Sequence, residues 1–226
     1  MASLRHLDNQ IIGCKKCPRL VQWREEVALT KRKSYQDETY WGKPVPGFGP
    51  TDARIIIVGL APGAHGANRT GRVFTGDSSG DWLYAALYKS GLANQPTSKS
   101  KDDGLILHSV RILTAVRCAP PGNKPDIEER DNCATWLTAE LQLLTEARVF
   151  IALGSFAWDS IWRTFRELDL PLPKEKVPFA HGASVEIDGY LLLGCYHPSQ
   201  QNTFTGKLLP GEMEKIFKKA GRFTAR

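Results

Sequence analysis

A glycine-rich segment at residues 59–83, GLAPGAHGANRTGRVFTGDSSGDWL, carries side chains suited to chemistry on a planar ligand. Its glycines allow the backbone to turn sharply or to approach a ligand closely. Phe74 can stack on a planar ring, and the carboxylate of Asp77 can act as an acid or a base. Taken alone, Asp77 fits a helix cap better than a catalytic acid, because carboxylates are common at helix N-termini.

A second polar segment, HPSQQNTFTGK at residues 197–207, directly follows the last predicted strand. The His197 imidazole can donate a hydrogen bond to a developing negative charge, although a histidine that stabilises a turn would look the same. The polar side chains after it are of the kind that contact phosphates or fill a gap between base pairs, namely Ser199, Gln200, Gln201, Asn202 and Thr203. Asp77, Phe74 and His197 all fall at one predicted edge of a sheet, which favours a shared site.

The cysteine spacing predicts a metal centre. Cys14 and Cys17 form a Cys-x-x-Cys pair, and Cys118 and Cys133 are separated by fourteen residues. Four thiolates can complete a tetrahedral zinc site or hold an iron–sulfur cluster, and the spacing does not distinguish the two. Two unrelated pairs of thiols are the alternative. Cys195 lies within a predicted strand and is interpreted as a core residue.

Several other chemistries lack their sequence signals. No phosphate-binding Gly-x-x-x-x-Gly-Lys-Ser/Thr pattern is present. Residues 76–80 match Gly-x-Ser-x-Gly, but the polar stretch at 68–75 is not the strand that a nucleophile elbow requires. A His-x-Glu motif does not precede the Cys-x-x-Cys, which argues against zinc deaminase chemistry. Clustered Asp, Glu and His ligands for a metal-dependent phosphodiesterase are also missing.

Alternating apolar patterns indicate the elements that must position these groups. Runs of β-branched and apolar residues predict strands at 54–60, 109–116 and 148–153, and Asp188-Gly189 predicts a hairpin joining strands at 183–187 and 190–196. Helical periodicity follows at 81–91, after Pro125, at 155–168 and at 212–220. Residues 31–50, rich in Pro, Gly and charge, are interpreted as a long connection. Such alternation is typical of a parallel sheet with ligands at the carboxyl ends of its strands.

Length and composition restrict the class of protein to which the chain can belong. The 226 residues suit one sizeable domain or two small ones, taken here as a single domain of residues 1–226, and a net charge of +6 favours a polyanionic partner. The N-terminus has no apolar segment of signal-peptide length, and no stretch reaches the roughly 18 apolar residues of a membrane span. We therefore expect a cytoplasmic protein that does not contact membranes. Five cysteines in a reducing compartment favour metal ligands or buried thiols over disulfides.

Taken together, GLAPGAHGANRTGRVFTGDSSGDWL, VRCAPPGNKP and HPSQQNTFTGKL resemble the family 5 (type b) uracil-DNA glycosylases over essentially the whole chain. The resemblance implies an α/β fold, a three-layer α/β/α sandwich with a central, mainly parallel four-stranded sheet. It also implies a structural [4Fe–4S] cluster on Cys14, Cys17, Cys118 and Cys133. The implied activity is base-excision repair, in which a uracil nucleotide is flipped out of DNA and its N-glycosidic bond is hydrolysed. We expect the protein to act as a monomer.

The resemblance assigns roles to individual residues. Asp77 would activate water or stabilise the oxocarbenium-like sugar, Phe74 would stack on the flipped base, and His197 would hydrogen-bond the departing base. Asn123 would help to position the water, although a turn-forming Asn fits equally well. Further substrate contacts are expected from Gly63, Ala64, His65 and Thr114, with no specific role for His65. The segment 199–203 would contact DNA.

Two departures from related branches bear on activity and specificity. Other branches carry their catalytic Asp, Asn or Glu near the positions of Ala61 and Ala64, neither of which can act as an acid or a base. This keeps open a lesion-binding protein without catalysis. Thr114 replaces an Asn that reads the amide edge of uracil, and a hydroxyl is a less selective reader than an amide. We therefore expect a permissive pocket that also accepts hypoxanthine and other deaminated bases.

Overall fold

A computed structural model describes residues 3–225 and contains one mixed sheet of five strands. The strands are β1 (Ile55–Gly59), β2 (Val110–Thr114), β3 (Val149–Leu153), β4 (Ser184–Ile187) and β5 (Tyr190–Cys195), in the order β2-β1-β3-β5-β4. All neighbours are parallel except β4, which pairs antiparallel with β5. The expected count of four strands is therefore wrong, because the predicted hairpin adds β4 as an antiparallel edge.

The hairpin turn explains this fifth strand. Asp188 and Gly189 both adopt positive φ, 47° and 80°. This is the conformation of a two-residue turn whose twist matches the flanking strands. The turn pairs Ile187 directly with Tyr190, so the antiparallel register is fixed from its first residue pair.

Helices cover both faces of the sheet. They are α1 (Leu4–Ile12), α2 (Pro18–Thr30), α3 (Ala67–Thr70), α4 (Ser78–Lys89), α5 (Ile127–Leu143), α6 (Ser155–Glu167), α7 (Gln200–Phe204) and α8 (Glu212–Thr224). Side chains of β1 alternate between two apolar cores, one shared with α4 and α8 and the other with α5 and α6. Both faces of β1 are consequently buried, which accounts for its unbroken run of β-branched residues. The three-layer arrangement of helix, sheet and helix is confirmed.

The segment 31–50 is packed against the domain rather than forming an open connection. Val45 is fully buried, and Phe48 pairs with Ile112 in an isolated β-bridge beside β2. The Trp41 ring lies against Gly71 in the glycine-rich segment. Residues 31–50 thus brace both the sheet and the segment that bears Asp77. None of the helices in residues 3–225 is long and apolar enough to cross a membrane.

Candidate active site

The carboxyl ends of β1, β2 and β5 bring three predicted site residues together. Phe74 packs on Gly59, the last residue of β1, where an added Cβ would lie 2.7 Å from Cζ of the Phe74 ring. The same Cβ position lies 3.7 Å from Cγ2 of Thr114, the last residue of β2. The rings of Phe74 and His197 are 5.7 Å apart between centroids. Gly59 is therefore required for the ring to lie against the strand end.

The backbone at Phe74 is held in an unfavourable conformation. Its φ is 50°, in the left-handed region that bulky side chains seldom adopt. Arg72 fixes the chain on either side: its Nε donates to Thr75 Oγ1 at 2.9 Å, and its Nη2 donates to Asp103 Oδ2 at 2.8 Å. Strain of this kind persists where the surroundings over-determine it, and it is concentrated at functional sites.

Asp77 uses one carboxylate oxygen to cap a helix and presents the other to the glycine-rich segment. It is the N-cap of α4, where its Oδ1 accepts a hydrogen bond from the Gly80 N–H at 2.9 Å. Its Oδ2 lies so close to Gly66 that a Cβ there would overlap it, and 3.2 Å from the Cβ position of Gly63. Burial raises the pKa of this carboxyl, partly opposed by the Gly80 N–H. The glycine-rich segment thus surrounds a carboxylate that is only partly solvated.

His197 is a neutral imidazole at physiological pH. Burial lowers its pKa to about 4. Its backbone carbonyl accepts a hydrogen bond from Asn202 Nδ2 at 2.8 Å, which ties the loop to the start of α7. A neutral ring of this kind donates a hydrogen bond without adding a positive charge to the site.

Thr114 presents a buried hydroxyl without a partner. The side chain is 1% exposed, and its Oγ1 makes no hydrogen bond within residues 3–225. A buried polar atom left unpaired costs about 1–3 kcal/mol, so such atoms call for an explanation. A ligand group that reached this hydroxyl would remove the cost.

His65 is oriented by a residue that sequence reasoning missed. The hydroxyl of Tyr40 lies 3.0 Å from His65 Nδ1, and Tyr40 itself is buried. The pKa of His65 is lowered by burial and by the positive charges of Arg32 and Arg69. No short-range motif joins residues 40 and 65, which come together only because the segment 31–50 folds onto the glycine-rich segment. Gly63 and Ala64, predicted substrate contacts, are partly buried in the same loop.

The structure leaves Asn123 apart from this group. Asn123 is exposed in the short 3₁₀ turn Pro121–Asn123 with φ 57°. Its side chain forms no hydrogen bond with any described residue, and its backbone conformation is the one for which turn-forming Asn is favoured. Its proposed contact with water stays a prediction.

The loop after His197 forms α7. Ser199 caps this helix by accepting a hydrogen bond from the Asn202 N–H at 3.4 Å. Gln200 and Gln201 are exposed, Asn202 and Thr203 are partly buried, and the Phe204 ring is 82% exposed. Asn202 therefore has a structural role in holding the loop, while the two glutamines and the aromatic ring are presented outward at the site edge.

The four predicted cysteine ligands line one small cavity away from Asp77. Cys14, Cys17, Cys118 and Cys133 all contribute to it. Burial raises the pKa of Cys118 to about 12 and that of Cys133 to about 11. The cysteines form no disulfide, and no three potential ligands within residues 3–225 are gathered as a metal site. Cys195 is fully buried in β5, which confirms it as a core residue.

Two buried arginines face this cavity. Nη1 of Arg24 donates to Cys118 Sγ at 2.9 Å, and Arg117 lines the cavity wall. Arg24 Nε and Arg117 Nε and Nη1 are buried without hydrogen-bond partners in the described chain. Among residues 3–225 the carboxylate that pairs with Arg117 is that of Glu140, whose other oxygen binds Arg111. Excess buried positive charge and unpaired donors suit an anionic group held by the thiolates.

Sequence comparison identifies the class to which this fold and site belong. Residues 46–221 match the profile of the Uracil DNA glycosylase superfamily, so the chain belongs to that superfamily. Within it, the resemblance to family 5 is confirmed. The chain is 52% identical over 220 residues to the type-5 uracil-DNA glycosylase of Mycobacterium leprae, covering 96% of this chain and 94% of that protein. The type-5 enzyme of Thermus thermophilus is 51% identical over 199 residues, 88% of each chain.

Proposed function

We propose that this protein is a monofunctional DNA repair glycosylase that removes uracil from DNA and leaves an abasic site. The relatives that match nearly the whole chain are named uracil-DNA glycosylases. The observation that carries the proposal for this chain is the packing of Phe74 against His197, with 5.7 Å between the ring centroids, and the largely buried carboxylate of Asp77 three residues after Phe74. We further propose that it acts as a monomer.

Asp77 is proposed as the group that stabilises the sugar cation and orients the attacking water. Loss of the base leaves positive charge on the deoxyribose, and a fixed carboxylate in a partly desolvated site lowers the energy of that charge. One oxygen is occupied by the Gly80 N–H, which fixes the plane of the carboxylate. The other oxygen, beside Gly63 and Gly66, is the one left for water or sugar.

Phe74 and His197 are proposed to hold the flipped base. The ring of Phe74 supplies a stacking surface, and the neutral imidazole of His197 donates a hydrogen bond to the oxygen on which negative charge builds as the base departs. Because burial keeps the pKa of His197 at about 4, the ring does not need to lose a proton to reach this state. His65, Gly63 and Ala64 are proposed to complete the pocket wall.

Thr114 is proposed to make the pocket permissive. Its unpaired hydroxyl can both donate and accept a hydrogen bond, so it can serve the edge of uracil or that of hypoxanthine. An amide would fix one donor and one acceptor in a defined arrangement. We therefore propose hypoxanthine and other deaminated bases as further substrates.

DNA is proposed to bind along the same edge. Gln200, Gln201 and the exposed Phe204 project from α7 next to His197, where they can occupy the space that the flipped nucleotide leaves. Asn123 on its exposed turn is proposed to approach the water from the opposite loop. The net charge of +6 supports phosphate contacts whose strength falls with salt.

A [4Fe–4S] cluster is proposed at the cysteine cavity, held by Cys14, Cys17, Cys118 and Cys133. The donor set fits because four thiols line one cavity and two buried arginines face it. A cluster bound to four thiolates carries negative charge that Arg24 and Arg117 can neutralise. Its role would be structural, tying α2 to α5 and to the chain that follows β2.

The deciding experiment incubates the purified protein with duplexes that carry a single uracil or a single hypoxanthine. Strands are resolved with and without alkali, which cleaves at abasic sites. Scission of both substrates only after alkali supports a monofunctional, permissive glycosylase. Scission of the uracil strand alone keeps the glycosylase and removes the argument from Thr114, whereas binding without scission identifies a lesion-binding protein.

A further inference from the structure

A groove lies between α8 and the edge of the sheet, apart from the candidate active site. Its volume is about 470 Å³, and it is lined by Glu186 of β4, Leu191 of β5 and the outer face of α8. Glu186 and Leu191 are directly paired across the antiparallel hairpin, so they stand on the same face. Since β4 has no neighbour beyond β5 within residues 3–225, the groove opens at the free edge of the sheet.

One face of α8 makes the groove strongly basic. Lys215, Lys218, Lys219 and Arg222 follow the i, i+3, i+4, i+7 spacing of a single helical stripe, and all four are exposed lining residues. None of them forms an ion pair or a side-chain hydrogen bond with any residue that the structure describes. Against these four cations the groove has one carboxylate, Glu186, which leaves three positive charges in excess.

Beneath the charges the groove is apolar. Leu191 is 2% exposed at the base, and Phe223 of α8 also lines the groove. A site with an apolar base and a cationic rim is complementary to a chain segment that offers an apolar side chain flanked by carboxylates.

We propose that this groove binds an acidic segment of a partner protein, anchored by one apolar side chain. The stripe from Lys215 to Arg222 spans about 10 Å at the rise of an α-helix, enough for three or four residues of an extended chain. The edge strand β4 lies alongside, in the position where an extended segment can run parallel to the sheet. This interaction is separate from base excision.

The groove suits a peptide better than the DNA substrate. Leu191 is near the start of β5, whereas the candidate site follows its end at His197, about 20 Å farther along an extended chain. Phosphate groups could pair with the lysines, but the nucleic-acid backbone has no apolar group to place on Leu191.

The test uses a fluorescein-labelled peptide with one phenylalanine flanked on each side by four aspartates, followed by fluorescence anisotropy. We expect saturable binding that weakens roughly tenfold or more in the double variant Lys218→Glu/Arg222→Glu. Replacing the phenylalanine of the probe by serine should also weaken binding. Melting temperature and excision of uracil should stay unchanged in the variant, which shows that fold and active site are intact.

A matched control separates the groove from net charge. Arg5→Glu/Lys174→Glu makes the same change in charge at two exposed positions elsewhere and should leave peptide binding within about twofold. No saturation at millimolar peptide, or equal weakening in the control variant, overturns the proposal. If a lesion-free duplex displaces the peptide and loses affinity to the same extent in Lys218→Glu/Arg222→Glu, the groove binds DNA phosphates instead.

Discussion

The candidate active site at the carboxyl ends of the strands and the cysteine-lined cavity are both buried, and both contain unpaired polar atoms. Their charges, however, are of opposite sign. In the candidate active site the carboxylate of Asp77 lies with a neutral His197 and the uncharged hydroxyl of Thr114, and Arg69, the cation that acts on Asp77, is itself paired with Glu38. At the cavity two buried arginines, Arg24 and Arg117, face thiols.

This difference indicates what each region is built to hold. A single carboxylate beside neutral donors suits a neutral base and a transient cation, because a permanent positive charge there would oppose the sugar cation. Buried arginines with unpaired nitrogens suit a permanent anion, because they would otherwise be costly to bury. The first region thus fits the proposed reaction and the second fits the proposed cluster.

The largest expected loss of activity comes from removing the negative charge of Asp77. Asp77→Asn keeps an oxygen that can accept from the Gly80 N–H, so α4 should remain capped. We expect uracil excision under single-turnover conditions to fall about 10²–10⁴-fold. Affinity for uracil-containing DNA and melting temperature should change little. Excision within tenfold of the unmodified protein would falsify the role given to Asp77.

A substitution in the cysteine-lined cavity should change thermal stability and metal content rather than the chemical step of excision. Cys133→Ser removes one proposed ligand, and loss of the proposed cluster would leave the unpaired nitrogens of Arg24 and Arg117 buried without that anion, a cost of about 3–5 kcal/mol. At roughly 2–4 °C per kcal/mol the melting temperature should fall by about 6–20 °C. Iron and sulfide content should fall in parallel. Cys195→Ser is the matched control, since Cys195 is buried away from the cavity, and iron retained in Cys133→Ser would contradict the assignment.

The base specificity of the candidate active site should be altered by one polar substitution at Thr114. Thr114→Asn places an amide where an unpaired hydroxyl now lies, and an amide discriminates between bases by about 1–3 kcal/mol. We expect the ratio of hypoxanthine to uracil excision to fall about tenfold. Thr114→Val, which has nearly the same shape and no hydroxyl, tests whether the hydroxyl contacts the base. An unchanged ratio in Thr114→Asn counts against the permissive-pocket proposal.

The smallest expected effect is a shift of the acid limb of the pH profile of uracil excision to higher pH. In the proposed mechanism Asp77 acts as the ionised form, which is lost as pH falls through its pKa, and burial raises that pKa above the ordinary value of about 3.9. His197 is neutral at every pH above about 4 and should add no limb near 6.5. Single-turnover excision measured between about pH 4.5 and 9 should therefore decline only on the acid side. An inflection near neutrality that disappears in His197→Asn would show that the imidazole must titrate.

Local patterns in the sequence predict most of the fold. The β-branched run at 54–60 becomes β1 at Ile55–Gly59, and the apolar periodicity at 155–168 becomes α6 at Ser155–Glu167. The Asp188-Gly189 turn was also predicted correctly, yet the strand count was wrong because the resemblance implied four strands while the hairpin added an edge. Parallel strands also explain why Asp77, Phe74 and His197 could be expected in one site before any distance was known, whereas Thr114 was expected there only from the family resemblance.

Burial of charged residues could not be predicted in the same way. Glu140 is fully buried between Arg111 and Arg117, although its position in α5 reads as an ordinary polar residue of a helix. Its partners lie on and just after β2, so the pairing exists only in the folded chain. The contact of Tyr40 with His65 was missed for the same reason, because the segment 31–50 resembles a solvated loop until it packs.

The helix cap that Asp77 supplies beside its proposed catalytic role has an evolutionary consequence. Because one of its oxygens begins α4, a lineage that abandoned the reaction would still be selected for a short polar side chain at position 77. Asp at this position in a distant relative is therefore weak evidence that the relative is an active enzyme. Asn there would be more informative, since it satisfies the helix and cannot carry the charge.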